Sequence, residues 1–311
     1  MLTAKTLTGN WGTLLLPIDP DDRINYKRLA DEIDCLINAG IDGIYSNGTA
    51  GEFHNQTEEE FDAVQQVLSQ KCRKADMRFQ IGASHPSAVI SLERIKRSLA
   101  WKPDAFQVIL PDWVVTGGEE QVVFLAKLAE AACGVPLILY NPPHAKLVLE
   151  PSRLEELAEA VPQLIGAKVG MGDAQWLDDM RRCASRLSVF VPGHLLATGL
   201  REKVAAGAYS NVACLSPGGS QRWWTWMQAD ISGGLEVQDR IGQFFERCIV
   251  PFKNAGYSNP ALDKFLAAVG GWSPIGTRLR WPYKWIGMDA VAAARKEAKK
   301  ILPEFFIKTG V

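Results

Sequence analysis

Leu164-Ile165-Gly166-Ala167-Lys168-Val169-Gly170-Met171-Gly172-Asp173 holds the front half of a repeating unit. A short apolar run reads as a buried strand, the glycine-rich stretch as a turn, and residues 174–185 carry apolar side chains at helical spacing. The same alternation recurs in both directions. Strands are expected near 11–16, 43–47, 78–82, 105–110, 136–140, 164–168, 188–191 and 210–214. Helices are expected near 25–39, 57–74, 87–100, 118–133, 151–161, 174–185, 195–206 and 219–230. Thr57-Glu58-Glu59-Glu60 has the pattern of a capping box, and Pro86 and Pro151 suit first helical turns. Eight such units favour an α/β fold of the (β/α)8 TIM-barrel type over a doubly wound sheet. No G-x-G-x-x-G run follows the first strand, which weakens the dinucleotide-binding alternative. Residues 1–230 are assigned to the barrel. Residues 231–311 are assigned to a C-terminal helical appendage, with three helices near 235–253, 259–268 and 288–302.

The 311 residues suffice for one such barrel and an appendage, and 47% hydrophobic content supports a large core. The formal net charge of −1 offers no basic footprint, so no nucleic-acid partner is expected. The six cysteines are scattered without a C-x-x-C pair, as in a reducing compartment. No apolar leader opens the chain and no apolar run reaches membrane-spanning length, so a soluble cytoplasmic protein without a membrane partner is expected. The ten tryptophans cluster partly at 223–226 and 272–285. Packing or subunit contact explains them most simply, a ligand platform less so.

In a barrel of this kind chemistry gathers where strands end. Lys168 caps the sixth strand. Burial depresses a lysine pKa, and a partly neutral amine attacks carbonyl carbon to form a Schiff base; alternatively its head reaches past the strand into water. Gly48-Thr49-Ala50-Gly51 follows the second strand, either as an ordinary turn or as a backbone cradle for a carboxylate. Tyr140 precedes Asn141-Pro142-Pro143-His144 at the end of the fifth strand; its hydroxyl either anchors the turn or moves protons. Asp112 and Trp113 follow the fourth strand, and read first as a turn residue and a packing residue. All four histidines (His54, His85, His144, His194) fall on this face. None form an i, i+4 pair, so no metal site is assigned.

The glycine-threonine loop, the Tyr140-Asn141-Pro142 turn and Lys168 occur in an order and spacing that resembles the dihydrodipicolinate synthase / N-acetylneuraminate lyase family of Schiff-base aldolases, over about residues 10–300. The resemblance implies a barrel that assembles as a homotetramer, a dimer of dimers, and needs no metal or organic cofactor. It gives Lys168 the role of imine-forming lysine, Tyr140 that of proton shuttle, and Thr49 that of the first hydroxyl residue in a loop that binds the carboxylate of a pyruvate unit. Gly48, Ala50 and Gly51 join Thr49 in that loop. Gly193 and Val212 fall near positions that line the pyruvate pocket, and Trp113 and His144 near those that meet the rest of the substrate.

The chain departs from the synthase pattern in three places. Ala50 replaces a second threonine, removing one hydroxyl contact, a loss of about 1 kcal/mol. Trp113 stands near a relay tyrosine, and an indole N–H donates but cannot relay a proton. Ala145 stands where an arginine holds the second substrate. A true dihydrodipicolinate synthase is therefore not expected. The expectation is a lyase or aldolase that cleaves or forms a C–C bond beside a pyruvate unit of a 2-oxo acid. The alternatives are a dehydratase of a 2-keto-3-deoxy sugar acid using the same imine, and a barrel that binds a 2-oxo acid without turnover.

Overall fold

The computed structural model describes residues 2–307. Eight parallel strands form a closed barrel in sequence order. They are β1 (Gly9–Thr13), β2 (Gly43–Tyr45), β3 (Phe79–Gly82), β4 (Ala105–Val108), β5 (Leu137–Asn141), β6 (Leu164–Val169), β7 (Ser188–Pro192) and β8 (Gly207–Ser210). The helices between them are α1 (Tyr26–Asn38), α2 (Glu58–Lys74), α3 (Ala88–Ser98), α4 (Gly118–Ala131), α5 (Pro151–Ala160), α6 (Ala174–Cys183) and α7 (Leu196–Arg201). After β8 come the short α8 (Asn211–Leu215) and α9 (Pro217–Met227). This is the expected (β/α)8 barrel.

Local chemistry sets the element ends. The Thr57 hydroxyl accepts from Glu60 N–H and the Glu60 carboxylate accepts from Thr57 N–H, so the capping box is complete. Pro151 opens α5, where a missing N–H costs nothing. Pro86 lies outside α3, which begins after Ser87, so that first-turn assignment is corrected. The barrel closes where β1 meets β8, with Gly9 opposite Gly207. A Cβ on Gly207 would fall 2.1 Å from the Gly9 carbonyl oxygen, so the seam requires glycine.

The eighth strand is the main correction. The apolar run 210–214 is not a strand: β8 ends at Ser210, whose side chain accepts from Ala213 N–H at 3.0 Å and starts α8. Gly207-Ala208-Tyr209 carries little hydrophobic signal because its neighbours at the seam are glycine and backbone, while Val212, Cys214 and Leu215 look strand-like because the turn is fully buried.

Beyond the last barrel unit lie α10 (Ile231–Cys248), α11 (Val250–Asn254), α12 (Asn259–Gly270) and α13 (Asp289–Ile301). The first expected appendage helix therefore begins earlier and is broken at Ile249, before Pro251, which has no N–H to continue the ladder. Several long side chains fasten this region to the barrel. Trp272 Nε1 donates to the Cys214 carbonyl at 2.7 Å, Arg28 donates to the Pro274 and Ile275 carbonyls, and Arg280 pairs with Glu60 at 2.7 Å. Inside the barrel, Leu7, Trp11, Ile138, Phe190, Tyr45 and Tyr209 are buried in one cluster, a floor beneath the strand ends.

Candidate active site

Parallel pairing sets Tyr140 of β5 directly beside Lys168 of β6. Lys168 Nζ lies 4.2 Å from the centre of the Tyr140 ring, 4.9 Å from that of Tyr45 and 5.5 Å from that of Tyr209. It donates a long hydrogen bond of 3.4 Å to the Tyr45 hydroxyl. Aromatic faces attract a cation but cannot replace its lost hydration. Burial accordingly pulls the Lys168 pKa down to about 8, with Asp263 and Cys214 opposing the fall. The amine thus has a useful neutral fraction near neutral pH.

The Tyr140 hydroxyl is hydrogen-bonded to the Thr49 hydroxyl at 3.2 Å. Burial pushes the phenol pKa up, so Tyr140 stays protonated and can donate as well as accept. Thr49, Ala50 and Gly51 form a single tight turn. Gly51 N–H and Glu52 N–H donate to the Gly48 and Thr49 carbonyls, while the N–H groups of Thr49 and Ala50 have no acceptor among the described residues. Non-glycine residues with positive φ flank this turn, Asn47 and Glu52, both at +51°. Such conformations cost about 1–3 kcal/mol and need support. Asn47 is tied to Gln56 at 3.2 Å, and Glu52 forms a buried ion pair with Lys264 of α12 at 2.5 Å.

Lys168, Tyr140, Thr49 and Ala50 line one cavity of about 480 Å³ between the strand ends and helices α10–α12. His144 stands at its rim, and burial together with the Lys168 charge lowers its pKa. A second cavity of about 290 Å³ lies behind the wall made by Thr49, Tyr140 and His144. Gly48 sits against the Tyr45 ring; a Cβ there would be 3.7 Å from Lys168 Nζ. Gly51 packs on the Leu14 carbonyl.

Three expected contacts are not brought to the Lys168 cavity within this chain. Trp113 is 82% exposed and lies beside the Lys146 ammonium, 4.7 Å from its ring centre. Val212 is fully buried in α8, because the strand assigned to it ends before it. Gly193 packs on Ser210, and its neighbours Pro192 and His194 line the cavity instead. The histidines are dispersed: His54 packs on Tyr283 and His194 on Phe245. Among the described residues no three of His, Cys, Asp and Glu form a metal-binding group.

Sequence reasoning missed Tyr45, Tyr209 and Asp263. The tyrosines read as ordinary strand residues, and only barrel closure turns them toward Lys168. Asp263 did carry a signal. With Lys264 it interrupts the apolar helix Ala261-Leu262-Asp263-Lys264-Phe265-Leu266, where two charges are out of place unless partnered or used.

The family model described as the dihydrodipicolinate synthetase family matches residues 6–221. The chain belongs to that family, whose members are lyases of the class I aldolase type. A relative, the 4-hydroxy-tetrahydrodipicolinate synthase of Neisseria meningitidis serogroup C (strain 053442), is 30% identical over 169 residues, 54% of this chain and 57% of the relative. The chain thus matches little more than half of that protein's length. Among solved structures, YagE, a prophage protein of the dihydrodipicolinic acid synthase family from E. coli K12 in complex with pyruvate, superposes with a TM-score of 0.82 at 21% identity, covering 95% of this chain and 98% of that one. A catalytic lysine mutant of the Ruminococcus gnavus sialic acid aldolase gives 0.83 at 15% identity, covering 98% and 100%. At these identities both likenesses concern the fold.

Proposed function

We propose that the protein is a Schiff-base lyase that cleaves or forms a C–C bond next to the pyruvate unit of a 2-oxo acid. The observation that carries this reading is the Lys168 amine, with its pKa drawn down to about 8, held beside the Tyr140 phenol in one cavity. Neutral Lys168 attacks the ketone carbon, and loss of water leaves an iminium whose nitrogen draws electrons from the adjacent carbon. Tyr140 hands protons between the nitrogen, the departing oxygen and that carbon, with Thr49 orienting its hydroxyl. The turn Gly48–Gly51 holds the substrate carboxylate through its unbonded N–H groups, which aims the ketone at Lys168.

The absence of an arginine at position 145 fits a second reaction partner without an amphoteric head, such as a simple or sugar-derived aldehyde. The reading includes a homotetramer in the cytoplasm. Its support is the exposed apolar run Trp113-Val114-Val115, suited to a subunit contact, and the finding that among the described residues no helix is long and apolar enough to cross a membrane.

Borohydride trapping tests the chemistry. Reduction in the presence of pyruvate should leave a covalent adduct, found by intact mass and placed on Lys168 by peptide mapping. Lys168→Ala should give none. A wild-type protein that yields no adduct overturns the proposal.

A further inference from the structure

Asp263 is the one carboxylate that α12 sends into the Lys168 cavity. Its place is fixed by the residue after it. Lys264 is fully buried, pairs with Glu52 of the tight turn at 2.5 Å and donates to the Arg278 carbonyl at 2.7 Å. Helix α12 therefore cannot turn about its axis without breaking a buried ion pair. Asp263 itself lines the cavity with Lys168, and the two charges act on each other. A half-buried acid that opens onto the cavity of a nucleophilic amine and feels its charge is a candidate for the chemistry there. Burial raises its pKa to about 7, and the Lys168 charge pulls the other way.

We propose that Asp263 is the base that takes the proton from the C4 hydroxyl of a 4-hydroxy-2-oxo acid during carbon–carbon cleavage. The proposal rests on the Schiff-base reading and names the substrate class that reading leaves open. With C2 bound to Lys168 and the carboxylate in the Gly48–Gly51 turn, the chain of the substrate from C3 onward extends into the part of the cavity that α12 covers. Asp263 then faces the C4 oxygen.

The charges follow a cycle. The free amine is partly neutral, but the iminium is a fixed cation, so its formation favours the carboxylate form of Asp263. The carboxylate removes the C4–OH proton. The O–H electron pair becomes the C4=O double bond, the C3–C4 bond breaks, and its pair forms C2=C3 while the C2=N pair returns to nitrogen. An aldehyde and a neutral enamine result. With the cation gone, the Asp263 carboxyl keeps the proton. The Tyr140 phenol then gives its own proton to C3, which restores the iminium. The restored cation favours the return of the Asp263 proton to the phenolate, leaving Asp263 a carboxylate and Tyr140 a phenol. Water then hydrolyses the iminium, returning the Lys168 amine and releasing pyruvate. No oxidant or metal enters the balance.

Asp263→Asn keeps the shape and removes the base. The probes are pyruvate and a panel of 4-hydroxy-2-oxo acids, including 2-keto-3-deoxy sugar acids, each trapped with borohydride and weighed. The wild type should accumulate the pyruvate adduct from at least one panel member. The variant should still trap pyruvate to the wild-type extent, but with that panel member it should accumulate the adduct of the uncleaved acid, with cleavage reduced at least a hundredfold. Cleavage by Asp263→Asn within threefold of wild type overturns the proposal, as do wild-type adducts that are all uncleaved or all short by one water. Loss of pyruvate trapping in the variant also overturns it, since Asp263 would then serve imine formation. A wild type that traps nothing sinks the Schiff-base reading first, and is thereby distinguishable.

Discussion

Lys264 and Glu52 form an ion pair at 2.5 Å with neither side chain more than 2% exposed. One residue belongs to α12, the other closes the turn that follows β2. The pair joins the C-terminal helices to the barrel at the point where a substrate carboxylate would sit. A second carboxyl, Glu32, is fully buried close enough for Lys264 to lower its pKa, although burial raises it further. Removing one partner of such a pair leaves the other charge uncompensated, at a cost of about 3–5 kcal/mol. Lys264→Met should lose about that much stability in urea unfolding. Lys264→Met combined with Glu52→Gln should recover part of it. Equal losses in both variants would show that packing, not charge, holds the contact.

The Lys168 pKa predicts how imine formation depends on pH. Burial lowers it, Asp263 and Cys214 hold it partly up, and the tyrosine rings of β2, β5 and β8 surround it. With a value of about 8, roughly a tenth of the amine is neutral at pH 7. The rate of imine formation with pyruvate should rise about tenfold from pH 6 to 7 and level off above about 8. Asp263→Asn removes an anion that favours the ammonium form, so the inflection should move to lower pH. The linkage has a matching sign. The folded state releases this proton before the unfolded chain does, so Lys168 contributes stability that grows between about 8 and the ordinary 10.5, and is lost as pH falls through about 8. Rapid-quench trapping across pH checks the first two statements; a rate independent of pH between 6 and 8 would contradict them.

Tyr140 and Thr49 share a hydroxyl–hydroxyl hydrogen bond at 3.2 Å, yet their variants should behave differently. Tyr140→Phe keeps the ring that packs on Lys168 Nζ and removes the proton carrier. Turnover should fall about 10²–10⁴-fold, while borohydride still traps some imine. Thr49→Val removes only the partner that orients the phenol, so the loss should be smaller. Exchange of the pyruvate methyl protons in D2O, followed by NMR, isolates the proton-transfer step from any second substrate. Normal exchange in Tyr140→Phe would assign that step to another group.

Much of the architecture could be read from the chain because strand–helix alternation repeats eight times, and each repeat supports the others. The step that failed was local. Between 207 and 214 the buried helical turn is more apolar than the strand before it, so hydropathy pointed to the wrong segment, and Val212 was carried with it. Lys168 and Tyr140 were legible because each stands at a strand end beside glycine or proline. Tyr45, Tyr209 and Asp263 were not, because their meeting depends on barrel closure and on how α12 docks, distances of many residues along the chain. Trp113 is a different case: an aromatic at a strand end suggests a substrate contact, and within this chain the residue is exposed and lies outside the Lys168 cavity.

That exposure bears on assembly. Trp113 is 82% exposed, Val114 76% and Val115 44%, a continuous apolar run rather than a scattered residue. Runs of this kind mark contact surfaces in soluble proteins. Light scattering should therefore give a mass above 34.2 kDa, the mass of one chain. Trp113→Glu should shift the distribution toward smaller species without changing far-UV circular dichroism. A wild-type protein that is monomeric at tens of micromolar would count against the assembly reading and leave the Lys168 chemistry untouched.

Gly48 offers the sharpest steric test of the amine's surroundings. A Cβ at this position would lie 2.9 Å from Tyr45 Cε2 and 3.7 Å from Lys168 Nζ. The first distance is too short, so the Tyr45 ring must move; that ring faces the Lys168 amine and carries the hydroxyl that accepts its hydrogen bond. The backbone at Gly48 is extended, with φ at −74°, so alanine meets no conformational penalty there. Any effect of Gly48→Ala must therefore come through the side-chain clash. Displacements near 1 Å at a reacting group can cost about a hundredfold in rate. Imine formation with pyruvate should slow by about ten- to a hundredfold, with thermal stability close to wild type. Tyr45→Phe, which removes the hydroxyl and keeps the ring, should slow it less. If Gly48→Ala traps pyruvate at the wild-type rate, the amine does not depend on the placement of the Tyr45 ring.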